Sequence, residues 1–215
     1  MYIPSKLTMK ILPCSLWLAY NINQPEEITK MLPSGMSLAS VKLLHEDSYP
    51  TPKLLFNSYK VESTFMKGNR CEILTLAKTK NDVHFVILDC LTNTLDWNPN
   101  DGIKPRNANL NIVYSPKNNI IKHRVYSQNK KLFVSGSIGQ EKRVSEKFVV
   151  DANKVCYYKE NSLGYKLQFD KNEITENVFL LDDIFVENYF WEEYRNELTH
   201  CFFHKQLMTY VVDNN

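Results

Sequence analysis

The chain has 215 residues, and its 26 Lys and Arg against 24 Asp and Glu leave a formal charge of +2, too even a balance to attract a polyanion, so no nucleic-acid partner is expected. With 43% hydrophobic and 12% aromatic residues and only six glycines, it is not a disordered or low-complexity chain, and it is long enough for a sizeable core, most simply in one domain over residues 1–215. No apolar run reaches the length of a bilayer span, so no membrane partner is expected either.

In chain order, Lys6 and Lys10 precede ILPCSLWLA, which imitates the charged start and apolar middle of a signal peptide. The run is short, contains Pro13 and is followed by no small-x-small cleavage site, so a buried first strand over residues 11–22 is preferred to a signal. The pattern then changes over residues 21–38, NINQPEEITKMLPSGMSL. Asn23 is a capping residue, Pro25 suits a first turn, Glu26 and Glu27 complement the positive end of the helix dipole, and Pro33 ends the segment. Two helical turns are unstable alone, so the Ile28, Met31 and Leu32 edge must pack on a sheet. The expectation is a lid on a closed wall of strands around a hollow.

Beyond Gly35 the period falls to two, or to continuous strand-like runs. Strands are expected at 36–44, 54–62, 69–78, 83–91, 110–114, 120–127, 131–136, 144–150, 154–160, 164–170 and 175–181. Short polar turns at 80–82, 116–119, 128–130 and 161–162 suit antiparallel hairpins. Residues 183–197 fit neither period and read as a second helix or an irregular aromatic cover, with a last strand at 201–212. The fold class is therefore mainly β: a curved antiparallel β-barrel with one short N-terminal helix and a C-terminal helical segment as an option.

Five scattered cysteines (Cys14, Cys71, Cys90, Cys156, Cys201) form no C-x-x-C pair, and their odd number fits a reducing, cytoplasmic setting. Cys71, Cys90 and Cys156 lie in apolar runs, where the thiol serves as a small hydrophobe. Of five histidines only His200 and His204 are close; on one face of a strand they stand about 13 Å apart, too far for one metal. Phosphate-loop and G-x-S-x-G patterns are missing, so no cofactor and no metal are expected. The basic residues of 117–124 and Lys130–Lys131 read as solvated strand edges.

Arg70 and Glu72 share a strand face with Leu74 and Leu76, and either line a barrel mouth as holders of a carboxylate or keto group or form an exposed pair at the strand's outer end. Asp89, inside HFVILDCL, is a costly lone charge that requires a partner. Arg70, Lys104 or Arg106 would make it a site residue, whereas backbone amides at a strand end would make it structural. Glu62 and Trp97 are candidates for a pocket rim, or else a solvated strand end and a core-capping indole. Tyr157–Tyr158 and residues 189–191 form a ligand wall, core, or a subunit contact, which keeps a homo-oligomer among the expectations.

The order of apolar strand, polar-Pro-Glu helix start and Leu-Pro-x-Gly exit in LAYNINQPEEITKMLPSGMSLASV resembles the acetoacetate decarboxylase-like superfamily, in particular its bacterial-type members. The hairpin KGNRCEILTLAKTKNDVHFVILD and the stretch GIKPRNANLNIVY, similar to that family's Gly-Phe-Pro-Lys loop and following strand, extend the resemblance along the chain. It implies a double-layered, cone-like β-barrel with a small cavity. In the decarboxylase proper, a lysine held neutral by an apolar pocket and a neighbouring lysine forms a Schiff base with a keto acid. Lys104 takes the catalytic role by this resemblance, but it precedes Pro105 and is followed by Arg106, where the family has Pro then Lys-Lys. The resemblance therefore carries the cavity more securely than the chemistry. The expected function is a small-molecule-binding barrel with Glu62, Arg70, Glu72, Asp89, Trp97 and Arg106 as lining residues, and with lyase action on a small keto acid or related carbonyl compound as its chemistry if it is an enzyme. The alternative is a non-catalytic interaction or scaffold domain with a filled barrel.

Overall fold

Alternating and continuous apolar runs fold into strands along nearly the whole of the computed structural model, which describes residues 6–63, 67–94, 106–144, 156–158, 161–169, 177–205 and 208–213. The elements are β1 (Lys6–Ile11), β2 (Ser15–Ile22), α1 (Pro25–Lys30), β3 (Ser37–Leu38), β4 (Lys53–Ser63), β5 (Lys67–Lys78), β6 (Val83–Thr92) and β7 (Arg106–Asn107). They continue with β8 (Asn109–Ser115), β9 (Ile120–Ser127), β10 (Lys130–Arg143), β11 (Cys156–Tyr158), β12 (Asn161–Phe169), β13 (Asn177–Asn188), β14 (Arg195–His204) and β15 (Met208–Asp213). Among the described residues no helix is long and apolar enough to cross a membrane.

All the strands join one sheet, and its topology turns on β4. One edge of β4 pairs with β5; the other is shared, with residues 53–58 opposite β2 and residues 61–63 opposite β1. Following β4, β5, β6, β11, β12, β15 and β1 back to β4 closes a seven-stranded barrel. β2, β14, β13, β10, β9 and β8 leave β4 as a second, curved layer. The pairings are antiparallel except those of β6 with β11 and β7.

The expected first strand over 11–22 is β2 from Ser15 onward, whereas Ile11 ends a separate strand, β1, which the sequence reading did not mark; β1 belongs to the barrel and β2 to the second layer. At the division the Leu12 amide still donates to Lys60 O (3.0 Å) while the Cys14 amide already donates to His204 O (3.2 Å). Cys14 adopts φ +107°, a conformation that side-chain-bearing residues rarely take.

The wall of β4, β5 and β6 is buried on both faces, which explains its unbroken apolar runs. Register places Leu54, Phe56, Cys71, Ile73, Val86, Asp89 and Leu91 on one face. This face packs against Leu110, Ile112, Val125, Leu132, Val134 and Phe203 of the second layer. Asn57, Tyr59, Arg70, Glu72, Leu74, Cys90 and Thr92 lie on the other face. That face is the inside of the barrel: on β1, Thr8 and Lys10 are exposed, whereas Ile11 is buried opposite Val61, in line with Tyr59 and Asn57.

Several expectations are corrected. α1 does form, but Ile28 and Leu32 join the apolar core between the layers, so the helix covers packed side chains and not a hollow; its apolar edge is matched by an apolar face. Asn23 does not cap it. Gln24 holds the N-cap position without a side-chain cap, and Asn23 Nδ2 and Gln24 Nε2 instead donate to Glu193 O (3.3 and 3.0 Å). Residues 183–197 are not helical: they comprise the end of β13, a turn, and the start of β14. Their mixed period comes from positive-φ residues Asp183 and Trp191 and from bulges in β13 and β14. The strand expected at 36–44 is only β3, followed by isolated bridges Val41↔Thr51 and Leu44↔Val144. The last strand, expected at 201–212, is divided between β14 and β15, and expected strand 144–150 falls, apart from Val144, outside the described residues.

Candidate functional site

Alternation on three adjacent strands builds a polar layer inside the barrel. Across β4, β5 and β6, Asn57, Glu72 and Cys90 form one row, and Tyr59, Arg70 and Thr92 form the next. Arg70 Nη2 lies 3.3 Å from Glu72 Oε1 and 3.1 Å from Cys90 Sγ. Side-chain exposures of 5% for Arg70 and 12% for Glu72 remove the reading of an exposed pair at a strand end. Ser15 Oγ, on β2, donates to Asn57 Oδ1 (2.9 Å), extending the layer to a fourth strand.

Taking each of two ions out of water costs several kcal/mol, in order of magnitude, and their attraction often fails to repay it. An apolar pair of similar size often holds a core as well, so stability alone does not account for the ion pair. Burial pushes the Cys90 thiol up to about 12, against the lowering influence of Arg70. Cys90 is therefore a protonated neighbour of the guanidinium and not a nucleophile.

The other charged candidates lie elsewhere. Asp89 is on the opposite face of the wall, opposite Ile73. It is paired with Arg106, whose Nε donates to Asp89 Oδ1 (3.1 Å) and whose Nη2 meets Asp89 Oδ2. The Cys90 amide (2.9 Å) and Trp191 Nε1 (3.2 Å) also donate to the carboxylate. Both kinds of partner foreseen for it, a cation and a backbone amide, are thus present, together with an indole from the turn before β14. Glu62 stands 3.5 Å from Lys67 at the barrel's end, with exposures of 45% and 79%. Lys104, Trp97 and the side chains of Tyr157 and Tyr158 lie outside the described residues. Phe190 is in the apolar core, and Tyr189 is exposed.

Sequence reading did not single out Ser15, Asn57, Tyr59 or the two other polar clusters that the fold assembles. His123 Nδ1 meets Ser58 Oγ (3.1 Å) on the apolar side of the wall, and burial, helped by the Lys60 charge, pushes the imidazole down to about 3. At the far end of β4, Lys53 Nζ donates to Asn21 Oδ1 (2.8 Å) and Thr199 Oγ1 (3.0 Å), and His200 lies between Thr199 and Asp47. The even positions of β9, exposed throughout, hint that its odd positions face inward; the partners of those positions come from distant segments and leave no local signal. Among the described residues no three His, Cys, Asp or Glu side chains are grouped to hold an ion.

No family model matches the chain, and no curated protein matches it in sequence. Solved structures match its fold. An acetoacetate decarboxylase-like enzyme from Sphingomonas wittichii RW1 is similar at TM-score 0.60 and 6% identity, covering 99% of this chain and 92% of that one. The enduracididine biosynthesis enzyme MppR complexed with pyruvate is similar at TM-score 0.59 and 8% identity, over 99% and 89% of the two chains. An acetoacetate decarboxylase from Legionella pneumophila follows at TM-score 0.56 and 9% identity, over 99% and 88%. At these identities the likeness is one of fold, along the whole chain.

Proposed function

We propose that this chain, which has the acetoacetate decarboxylase-like fold, binds a small carboxylate or carbonyl compound of the keto-acid class inside the seven-stranded barrel. The observation that carries this reading is the buried Arg70–Glu72 pair on the barrel's inward face. A guanidinium steadied by Glu72 and Cys90 is preorganised to take a carboxylate oxygen, because its planar fork needs little reordering. Glu72 balances its charge, so the layer is not adapted to a polyanion. Ser15, Asn57 and Tyr59 supply hydroxyl and amide groups of the kind that orient a small polar ligand. Pyruvate in one structure of the same fold supports the ligand class.

In this reading Lys104 is the residue through which binding becomes lyase chemistry. For a β-keto acid, its amine, when neutral, adds to the keto carbon and, with uptake of a proton, water leaves; the resulting iminium takes up the electron pair released when the carboxylate on the adjacent carbon departs as carbon dioxide, and protonation and hydrolysis of the enamine free the lysine. Binding and turnover are separable. A melting-temperature screen with pyruvate, acetoacetate and related acids is expected to show stabilisation of the wild type that the double variant Arg70→Met/Glu72→Leu loses. No shift with any acid would favour the scaffold reading with a filled barrel. Borohydride reduction in the presence of a stabilising keto acid is expected to add the ligand's mass at Lys104; stabilisation without an adduct would leave a binding protein that is not a Schiff-base lyase.

A further inference from the structure

The large hydrophobic side chains that the fold leaves exposed are gathered on one surface. Of the seven among the described residues, all but Tyr49 lie on β8, β9, β13 or the residue after β13, and these six are 37–52% exposed. Five of them stand on the outward side of the second layer, whose inward side packs on the β4–β6 wall, and Ile184 is in the β13 bulge beside them. Register sets the outward side chains in rows across β9, β10 and β13: Tyr126, Lys131 and Tyr189; then Arg124, Phe133 and Glu187; then Lys122, Ser135 and Phe185. Contacts within the sheet hold the rows in place. Phe133 lies 5.8 Å from Phe185 and 5.2 Å under the Arg124 guanidinium, and Lys131 pairs with Glu187 (3.0 Å). Exposed apolar side chains gathered in this way mark a contact with another molecule.

Charge on the surface identifies that molecule. Residues 109–127 contain Lys117, Lys122 and Arg124 and no acid, whereas residues 177–190 contain Asp182, Asp183 and Glu187 and no Lys or Arg. Because β9 and β13 flank β10, the surface has a basic side and an acidic side about 10 Å apart, with aromatic rings between them. A single-stranded polyanion would stack its bases on the rings, but its phosphates would have to cross the acidic side. A surface with opposite charges on the two sides of one strand is instead complementary to its own copy turned by 180° about that strand.

We propose that the outward face of β8, β9, β10 and β13 binds a second copy of the chain about a two-fold axis that runs along β10. Such an axis exchanges β9 with β13 and keeps the rows. Arg124 then faces the partner's Glu187, and Glu187 faces the partner's Arg124. Lys131 engages Glu187 Oε2, which leaves the other carboxylate oxygen to accept from the partner's guanidinium. Tyr126 comes over the partner's Tyr189 and Lys122 over the partner's Phe185, an aromatic and a cation–aromatic contact. Phe133 meets its own copy on the axis. Twisted sheets stack face to face in this way about 10 Å apart. Four strands about 4.8 Å apart and six residues of strand length give a face roughly 20 Å square, small against what a permanent dimer buries, so the dimer is expected to be reversible in the micromolar range.

Sedimentation of the full chain between about 1 and about 200 µM tests this, with the sedimentation coefficient expected to rise with concentration to that of a dimer. Arg124→Glu and Glu187→Arg each set like charges against each other at two places across the axis, and each should weaken the dimer at least about tenfold. Mixing the two variants pairs opposite charges at both places, so a heterodimer of about wild-type strength should form. If either charge variant fails to fold, Tyr126→Ser, at an exposed position that carries no charge, decides: it should weaken the dimer about tenfold, and a dimer indifferent to it would overturn the contact. A chain that stays monomeric throughout, a dimer that neither charge variant weakens, or a mixture that is not rescued would overturn it as well. So would a monomer that binds an oligothymidylate and loses it on Arg124→Glu, which would give the face to nucleic acid.

Discussion

The two faces of the β4–β6 wall are buried to a similar extent and made of very different residues. Toward the second layer, Leu54, Phe56, Ile73 and Leu91 meet Leu110, Ile112 and Phe203, and the burial of apolar area is itself the stabilising term. Toward the inside of the barrel, Asn57, Tyr59, Arg70 and Glu72 occupy the same strands one residue out of phase. There burial costs free energy that only pairing offsets. Similar burial is thus favourable in itself on one face and costly without pairing on the other, and the contrast can be tested by substitution.

The largest expected effects come from one truncation on each face. Phe56→Ala should cost about 3–5 kcal/mol through lost transfer energy and a residual cavity, and Arg70→Met a similar amount, about 3–5 kcal/mol, because Glu72 is left buried without its cation. Urea unfolding distinguishes the causes. Adding Glu72→Leu should restore most of the stability lost in Arg70→Met and none of that lost in Phe56→Ala. A lack of rescue would mean that the pair is a structural element of the barrel.

A smaller effect concerns pH. His123 binds its proton far less readily folded, near about 3, than unfolded, near about 6.5. The unfolded chain therefore binds more protons in between, and stability should fall as pH drops below the unfolded value. Between about pH 6.5 and pH 4.5 the loss should be roughly 2 kcal/mol, read from unfolding midpoints, and His123→Asn should flatten that slope. Smaller still, Trp191→Phe, which removes the indole donor from Asp89, should cost about 1 kcal/mol. The last contrast is in reactivity. Burial pushes Cys71 well up, and Cys90 and Cys201 up to about 12. Mass-spectrometric mapping should find these three thiols unlabelled by an alkylating reagent until urea unfolds the chain.

Legibility in the sequence followed the range of the forces involved. The hairpin strands β4, β5, β6 and β9 were read almost to their ends, because alternation and short polar turns are local. β9 in particular runs from Ile120 to Ser127 as expected. The common face of Arg70 and Glu72 was also legible, since it needs only a period of two. What was not legible depended on distant partners. Asp89 could be seen to need a counter-charge, but choosing Arg106 over Arg70 required knowing which face each strand turns inward. His200 looked like half of a failed metal pair until Asp47, 153 residues away in the chain, was brought beside it.

The order of residues by itself determined a mainly β chain with a short early helix, and it marked the Arg70–Glu72 face as unusual, because those features depend on spacing between near neighbours. Only the tertiary structure decided that β4 divides its edge between two layers, that the helix rests on the apolar side, and that the ion pair faces into a closed barrel. Each of those facts depends on contacts between segments far apart in the chain, and no local pattern of side chains encodes which of several compatible faces will meet.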